Sequence, residues 1–257
     1  MAELIEFQIN EGIDGLVVCG TTGESSTMTI EERKETISYA VKKVNGRIPV
    51  IAGTGGNCTK SVIEFTKWAE SAGVDGALIV TPYYNKTTQA GLIAHYTAIA
   101  KETSLPIILY NVPGRTGMNI TPATCKELSK IDNIVAIKEA SGNLSQVAEI
   151  ANLCGNDLNI YSGNDDQIVP ILSLGGIGVI SVLSNIMPKY TSEMVKKYFD
   201  GEEKEASNMQ IEVATLIECL FKEVNPIPIK EALNILGFNS GNPRPPLIEC
   251  SEELKEK

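Results

Sequence analysis

The chain has 257 residues, 43% of them hydrophobic and 21% charged, with a formal net charge of −10. That balance fits a globular protein of one α/β barrel or two smaller domains, and the acidic excess argues against nucleic acid or an anionic membrane as a partner. No apolar run approaches the roughly 20 residues of a membrane span and no export signal opens the chain. The six cysteines lack any Cys-x-x-Cys pair, which with the missing signal fits reduced thiols in a cytoplasm.

The first pattern is helical, with Leu4, Ile5, Phe7 and Ile9 running to a stop at Gly12. Gly15–Gly20 then reads as a short buried strand, and Thr21-Thr-Gly-Glu-Ser25 as a polar loop. Thr29 with Glu32 three residues on is a capping-box signature, so the spacing predicts a helix from there to about Asn45. The same unit recurs. Strands are expected at Pro49–Gly53, Gly76–Thr81 and Pro106–Tyr110, with helices at Thr59–Ala72 and Gln89–Thr103 behind the first two. The loop Asn111-Val-Pro-Gly-Arg-Thr-Gly117 leads to a helix that opens at Thr121-Pro122, a capping residue with proline in the first turn.

A strand from Ile134, a helix over Leu144–Leu153, a strand over Leu158–Tyr161 and a helix to Leu174 follow. Gly178–Val182 is the last expected strand. Beyond it the pattern is helical through Tyr198, from Glu205 to Lys222 and from Ile229 to Leu236, before a Pro-rich end and a charged tail read as a solvated face.

Seven strand-then-helix units mean a parallel sheet, and apolar rather than alternating strands mean one covered on both faces. A doubly wound sheet and a TIM barrel both fit. No Gly-x-Gly-x-x-Gly opens a helix after an early strand, and the repeats are regular, so the barrel is the better reading. Residues 1–183 form the barrel in this reading, and residues 184–257 its final helix and a C-terminal helical extension.

The polar oddities fall where barrels keep their chemistry, at the C-terminal ends of strands. They are Thr21, Thr22, Tyr83, Tyr84, Tyr110, Arg115, Lys138 and Gly163-Asn164. Lys138 ends the apolar run Ile134-Val-Ala-Ile137. Either the strand stops at Ile137 and the lysine points to solvent, or burial holds the amine near neutrality so that it can attack a ketone. At an ordinary pKa of about 10.4 only roughly one lysine in a few thousand is neutral at pH 7, so such burial would matter. Hydroxyls around a neutral lysine suit proton relay, the Thr-Thr-Gly-Glu loop offers N–H groups to a carboxylate, and an arginine can grip a second carboxylate. The combination suggests a 2-oxo acid held as a Schiff base beside a second acid, with no metal or organic cofactor. His95, the only histidine, lies mid-helix and reads as packing or surface. That leaves little room for a histidine-based zinc site or a Ser-His-Asp triad.

Gly20-Thr-Thr-Gly-Glu24, Tyr110-Asn-Val-Pro-Gly-Arg-Thr-Gly117 and Ile137-Lys-Glu-Ala-Ser141 resemble the dihydrodipicolinate synthases (4-hydroxy-tetrahydrodipicolinate synthases). These belong with N-acetylneuraminate lyase among the Schiff-base class I aldolases. The resemblance implies a (β/α)8 barrel, usually a homotetramer built as a dimer of dimers. It also implies condensation of pyruvate with L-aspartate 4-semialdehyde on the way to diaminopimelate and lysine. By motif position, Lys138 resembles the Schiff-base lysine and Tyr110 the proton-shuttling tyrosine. Thr21 and Tyr84 would complete the relay, with Tyr84 reaching into a neighbouring subunit's site. Thr22, Gly163 and Ile180 resemble pyruvate-holding positions, and Arg115 the residue that binds the aldehyde's carboxylate.

Sibling lyases for N-acetylneuraminate and 2-keto-3-deoxy sugar acids share the lysine and tyrosine but typically lack the Pro-Gly-Arg-Thr-Gly stretch. A catalytically silent barrel with a binding or structural role is the reading from a different class. Relatives also begin with a strand ending in Thr-Pro, which has no counterpart here. The expectation is therefore a barrel without its first strand, a gap between the strands at Gly15–Gly20 and Gly178–Val182, and reduced stability and activity.

Overall fold

The computed structural model describes residues 1–256. The elements run α1 (Ala2–Asn10), β1 (Leu16–Val18), α2 (Ile30–Val44), β2 (Val50–Gly53), α3 (Thr59–Ser71), β3 (Gly76–Val80), α4 (Gln89–Ala100), β4 (Ile107–Asn111), α5 (Pro113–Thr116) and α6 (Pro122–Leu128). They continue as β5 (Ile134–Glu139), α7 (Leu144–Cys154), β6 (Asn159–Ser162), α8 (Ile168–Ser173), β7 (Gly178–Val179), α9 (Pro188–Phe199), α10 (Glu203–Glu212), α11 (Ala214–Lys222), α12 (Ile227–Ile235) and α13 (Glu252–Lys255). Seven parallel strands pair in chain order, β1 to β7, as a curved wall with helices outside it.

Alternation along each strand decides which side chain meets which layer. Val18, Ala52, Ala77, Ile79, Ile107, Leu109, Ile137 and Ile160 face out and pack with Ile37, Phe65, Leu92, Tyr96, Leu128 and Ile150 of the helices. Leu78, Ile108, Tyr110 and Ala136 face in and form a second cluster with Val17, Ile51, Val80, Tyr161 and Ile180 around them. Both faces of the strands are therefore covered, as apolar rather than alternating strands require. At Ile107/Ile108 the β4–β5 register shifts by one residue, a bulge that precedes the pairing Tyr110↔Lys138.

The N-termini of the helices obey local chemistry. Thr29 caps α2 by accepting from the Glu32 amide at 3.1 Å while the Glu32 carboxylate accepts from the Thr29 amide at 2.8 Å. Thr88, Thr121 and Asn143 cap α4, α6 and α7 from one side only, each side chain accepting a backbone N–H of the first turn. Several expectations are corrected. The stretch Val112–Gly117 is not an open loop: Pro113 starts a single helical turn that Gly117 stops at φ +67°. The helix expected over Glu205–Lys222 divides at Val213, which turns inward and is buried. The last strand shrinks to Gly178–Val179, because it pairs with β6 alone. The charged tail is not wholly solvated, since Leu254 packs with Ile227 and Cys250.

Between β1 and β7 no ladder forms among the described residues. One end of this seam is bridged by α1, whose Gln8 Nε2 donates to the carbonyls of Ser184 and Asn185 at 3.0 and 3.2 Å. Helices α8 to α12 share a second core through Leu172, Met194, Met209, Ile217 and Ile229. No described helix is long and apolar enough to cross a membrane.

Candidate active site

Lys138 stands in the sheet itself. Strand β5 continues past it to Glu139, with Lys138 paired to Tyr110 on one side and Tyr161 on the other. This rules out the reading in which the strand ends at Ile137. Directly paired residues of parallel strands point to the same face, so lysine and tyrosine share the barrel interior. The Lys138 Nζ lies 4.6 Å from the centre of the Tyr110 ring. Lys138 is half-buried.

The next residue of each strand faces the other way and locks the pair from behind. Glu139 accepts from the Asn111 amide at 2.9 Å, from the Gln146 amide at 3.2 Å and from the Ser141 N–H at 2.6 Å. Asn111 also donates to Asn119 at 2.9 Å and accepts from the Ile120 N–H at 2.9 Å. A buried, fully bonded network of this kind fixes strand ends against sliding. Asn111 stands within the Tyr110–Gly117 motif with no role assigned to it from the sequence, and Asn119 and Gln146 lie outside every motif.

Gly163 contributes space. A Cβ there would come within 2.6 Å of the Ala140 Cβ and 3.1 Å of the Lys138 Cε, and its N–H is already donated to the Glu139 carbonyl at 2.7 Å. The Ile180 N–H is likewise taken, by the Ser162 carbonyl at 2.8 Å, while its side chain joins the inner cluster. Below them Asp165 is almost wholly buried and accepts from the amides of Val182 and Leu183 at 2.9 and 2.8 Å. Burial pushes its carboxyl upward, opposed by the Ser181 hydroxyl, those two amides and the Lys138 charge.

Thr21 and Thr22 follow β1 in a tight loop bracketed by two non-glycine residues in left-handed conformation, Cys19 at φ +57° and Glu24 at φ +54°. Such strain clusters at ligand-holding sites. Among the described residues the Thr21 and Thr22 amides make no backbone hydrogen bond, which leaves them free for an anion. The Thr22 hydroxyl meets Asn225, and the Arg115 guanidinium donates to the Asn225 carbonyl at 3.2 Å. Asn225 was missed at the sequence level because it lies in the C-terminal helical region, far from every motif.

Arg115 is exposed. Tyr84 is not gathered with the others within one chain: it is 92% exposed at φ +69°, an unusual conformation for an aromatic residue. His95 is packing as expected, with Nδ1 2.9 Å from the Thr59 hydroxyl and burial pulling its pKa down to about 4.

Residues 1–257 match the model of the dihydrodipicolinate synthetase family. The 4-hydroxy-tetrahydrodipicolinate synthase of Thermoanaerobacter sp. (strain X514) is 55% identical over 100% of this chain and 86% of its own length. The 4-hydroxy-tetrahydrodipicolinate synthase 1 of Clostridium acetobutylicum is 57% identical over 98% of this chain and 86% of its own. The crystal structure of dihydrodipicolinate synthase from Aquifex aeolicus superposes with a TM-score of 0.97 at 43% identity, covering 99% of this chain and 87% of that one.

Proposed function

The chain belongs to the dihydrodipicolinate synthetase family, and from that premise we propose that it carries out the 4-hydroxy-tetrahydrodipicolinate synthase reaction. Pyruvate is held as a Schiff base on Lys138 and condensed with L-aspartate 4-semialdehyde, a lyase step of the diaminopimelate and lysine route. The observation that carries this reading is the Tyr110↔Lys138 pair, with the amine 4.6 Å from the phenol ring inside a half-open barrel.

The chemistry follows from the positions. The neutral Lys138 amine adds to the pyruvate C2 carbonyl, and loss of water leaves an imine. Tyr110 moves the protons that these two steps require, with Thr21 and Tyr84 completing the relay. Loss of a methyl proton gives an enamine, which attacks the aldehyde carbon of the second substrate. The free Thr21–Thr22 amides and the Thr22 hydroxyl hold the pyruvate carboxylate, and Gly163 and Ile180 shape the pocket around it. Arg115, at the mouth, takes the semialdehyde's carboxylate.

Tyr84 serves a partner's site, which accounts for an aromatic side chain held out in solvent on a left-handed residue. The assembly is a homotetramer, and the setting of such a biosynthetic step is the cytoplasm. The architecture is a (β/α)8 barrel without its first strand, in residues 1–183, with residues 184–257 as its last helix and a helical extension. The β1–β7 seam and the only partly buried inner residues Val17 and Ile51 beside it support that reading. The test is turnover of pyruvate with L-aspartate 4-semialdehyde, set against cleavage of N-acetylneuraminate and of a 2-keto-3-deoxy sugar acid. Turnover of the first pair alone is the expected result; cleavage of either sugar acid, or no turnover of any, overturns the proposal.

A further inference from the structure

We propose that Asn225 is a positioning residue that aims two substrate-binding donors at once, the Thr22 hydroxyl and the Arg115 guanidinium. This rests on the reading of Thr22 and Arg115 given above. Asn225 is 5% exposed and lies between α11 and α12, more than a hundred positions from either partner. Its Nδ2 donates to the Thr22 Oγ1 at 3.0 Å, and its main-chain carbonyl accepts from the Arg115 Nη2 at 3.2 Å.

A hydroxyl has one donor and two acceptor positions. The Asn225 N–H occupies an acceptor position on Thr22 at 3.0 Å while the Thr22 hydroxyl reaches the Asn225 Oδ1 only at a long 3.4 Å, so the hydroxyl hydrogen can turn to a carboxylate. The Asn225 carbonyl takes one of the five Arg115 N–H groups and leaves the rest of the fork for a second carboxylate. The two substrates' charged ends are thus spaced by one residue. That residue is itself anchored. Lys230 of α12 reaches Glu24 at 2.6 Å with both side chains largely buried, and the Arg244 N–H donates to the other Glu24 oxygen at 2.9 Å. The C-terminal helices therefore grip the Thr21–Glu24 loop beside the point where Asn225 touches it.

The experiment measures steady-state kinetics and melting temperature for Asn225→Ala, Asn225→Asp, Thr22→Val and the double variant Asn225→Ala/Thr22→Val. In Asn225→Ala the KM for pyruvate is expected to rise roughly three- to tenfold and that for L-aspartate 4-semialdehyde roughly threefold, the worth of a net hydrogen bond, with kcat held within about twofold. Asn225→Asp keeps the shape but offers Thr22 only acceptors, so it should be no better than alanine for pyruvate. Thr22→Val, although on the pyruvate side, should also raise the semialdehyde KM, and adding Asn225→Ala should raise it no further. This arm decides the matter if Asn225→Ala does not fold. Unchanged KM values with a lowered melting temperature, a wild-type-like Asn225→Asp, or additive effects on the semialdehyde KM each overturn the inference. Absence of condensation by the unmodified chain would instead overturn the proposed function itself.

Discussion

The two sides of the barrel wall are built to different standards. On the β4–β5 side every strand is paired on both edges, the inner residues Ile108, Tyr110 and Ala136 are buried, and Glu139 with Asn111 seals the outer face. On the β1–β7 side the terminal strands pair on one edge only, and inner residues such as Val17 and Ile51 are only half-buried. Lys138 and Tyr110, the proposed reacting pair, sit on the first side, and the Thr21–Thr22 loop proposed to hold the pyruvate carboxylate borders the second. On this reading the reacting pair stands where strands are held on both edges.

The largest expected effect breaks the tight side. Gly163→Ala forces a methyl group to within 2.6 Å of Ala140 and 3.1 Å of the Lys138 Cε. Displacing the reacting amine by even about 1 Å is expected to cost roughly 10²-fold in kcat. Unchanged kcat would mean that Lys138 has room it does not show. Next, Ile108→Ala, in the buried inner cluster, should lower unfolding free energy by about 2–5 kcal/mol. Ile51→Ala, on the open side, should cost clearly less, because its side chain is already partly exposed. Equal losses in a denaturant titration would show that the two walls are equally packed.

The barrel pattern was readable in the sequence because burial on both faces leaves long apolar strands, and capping residues such as Thr29 and Thr121 mark helix starts without tertiary help. Lys138 and Tyr110 were readable because charge and hydroxyl at the end of an apolar strand have few uses. Asn225 and the Asn111–Asn119–Gln146 network were not, since their meaning lies in contacts between distant positions. The exposure of Arg115 and Tyr84 was also invisible, because loop residues carry no periodicity that reports burial.

A third test uses pH on the buried layer behind β3. Burial pulls His95 down to about 4, below its ordinary value near 6.5, so the unfolded chain binds its proton more readily. The contribution is present above about pH 6.5 and is lost as pH falls through about 4, amounting to up to about 3 kcal/mol. His95→Gln should flatten the stability profile in that window; an unchanged slope would assign it to carboxylates instead. The smallest effect belongs to the mouth. Because Arg115 is exposed, Arg115→Ala should raise the semialdehyde KM only about fivefold, the worth of about 1 kcal/mol, and leave the pyruvate KM alone. Equal rises in both would point to a general loosening of α5.

The central claim is that Lys138 forms the imine. Incubation with pyruvate, reduction by borohydride and peptide mass spectrometry test it directly. One reduced pyruvate adduct on the peptide carrying Lys138, absent from Lys138→Ala, is the expected result. An adduct on another lysine, or one that persists in Lys138→Ala, would contradict it.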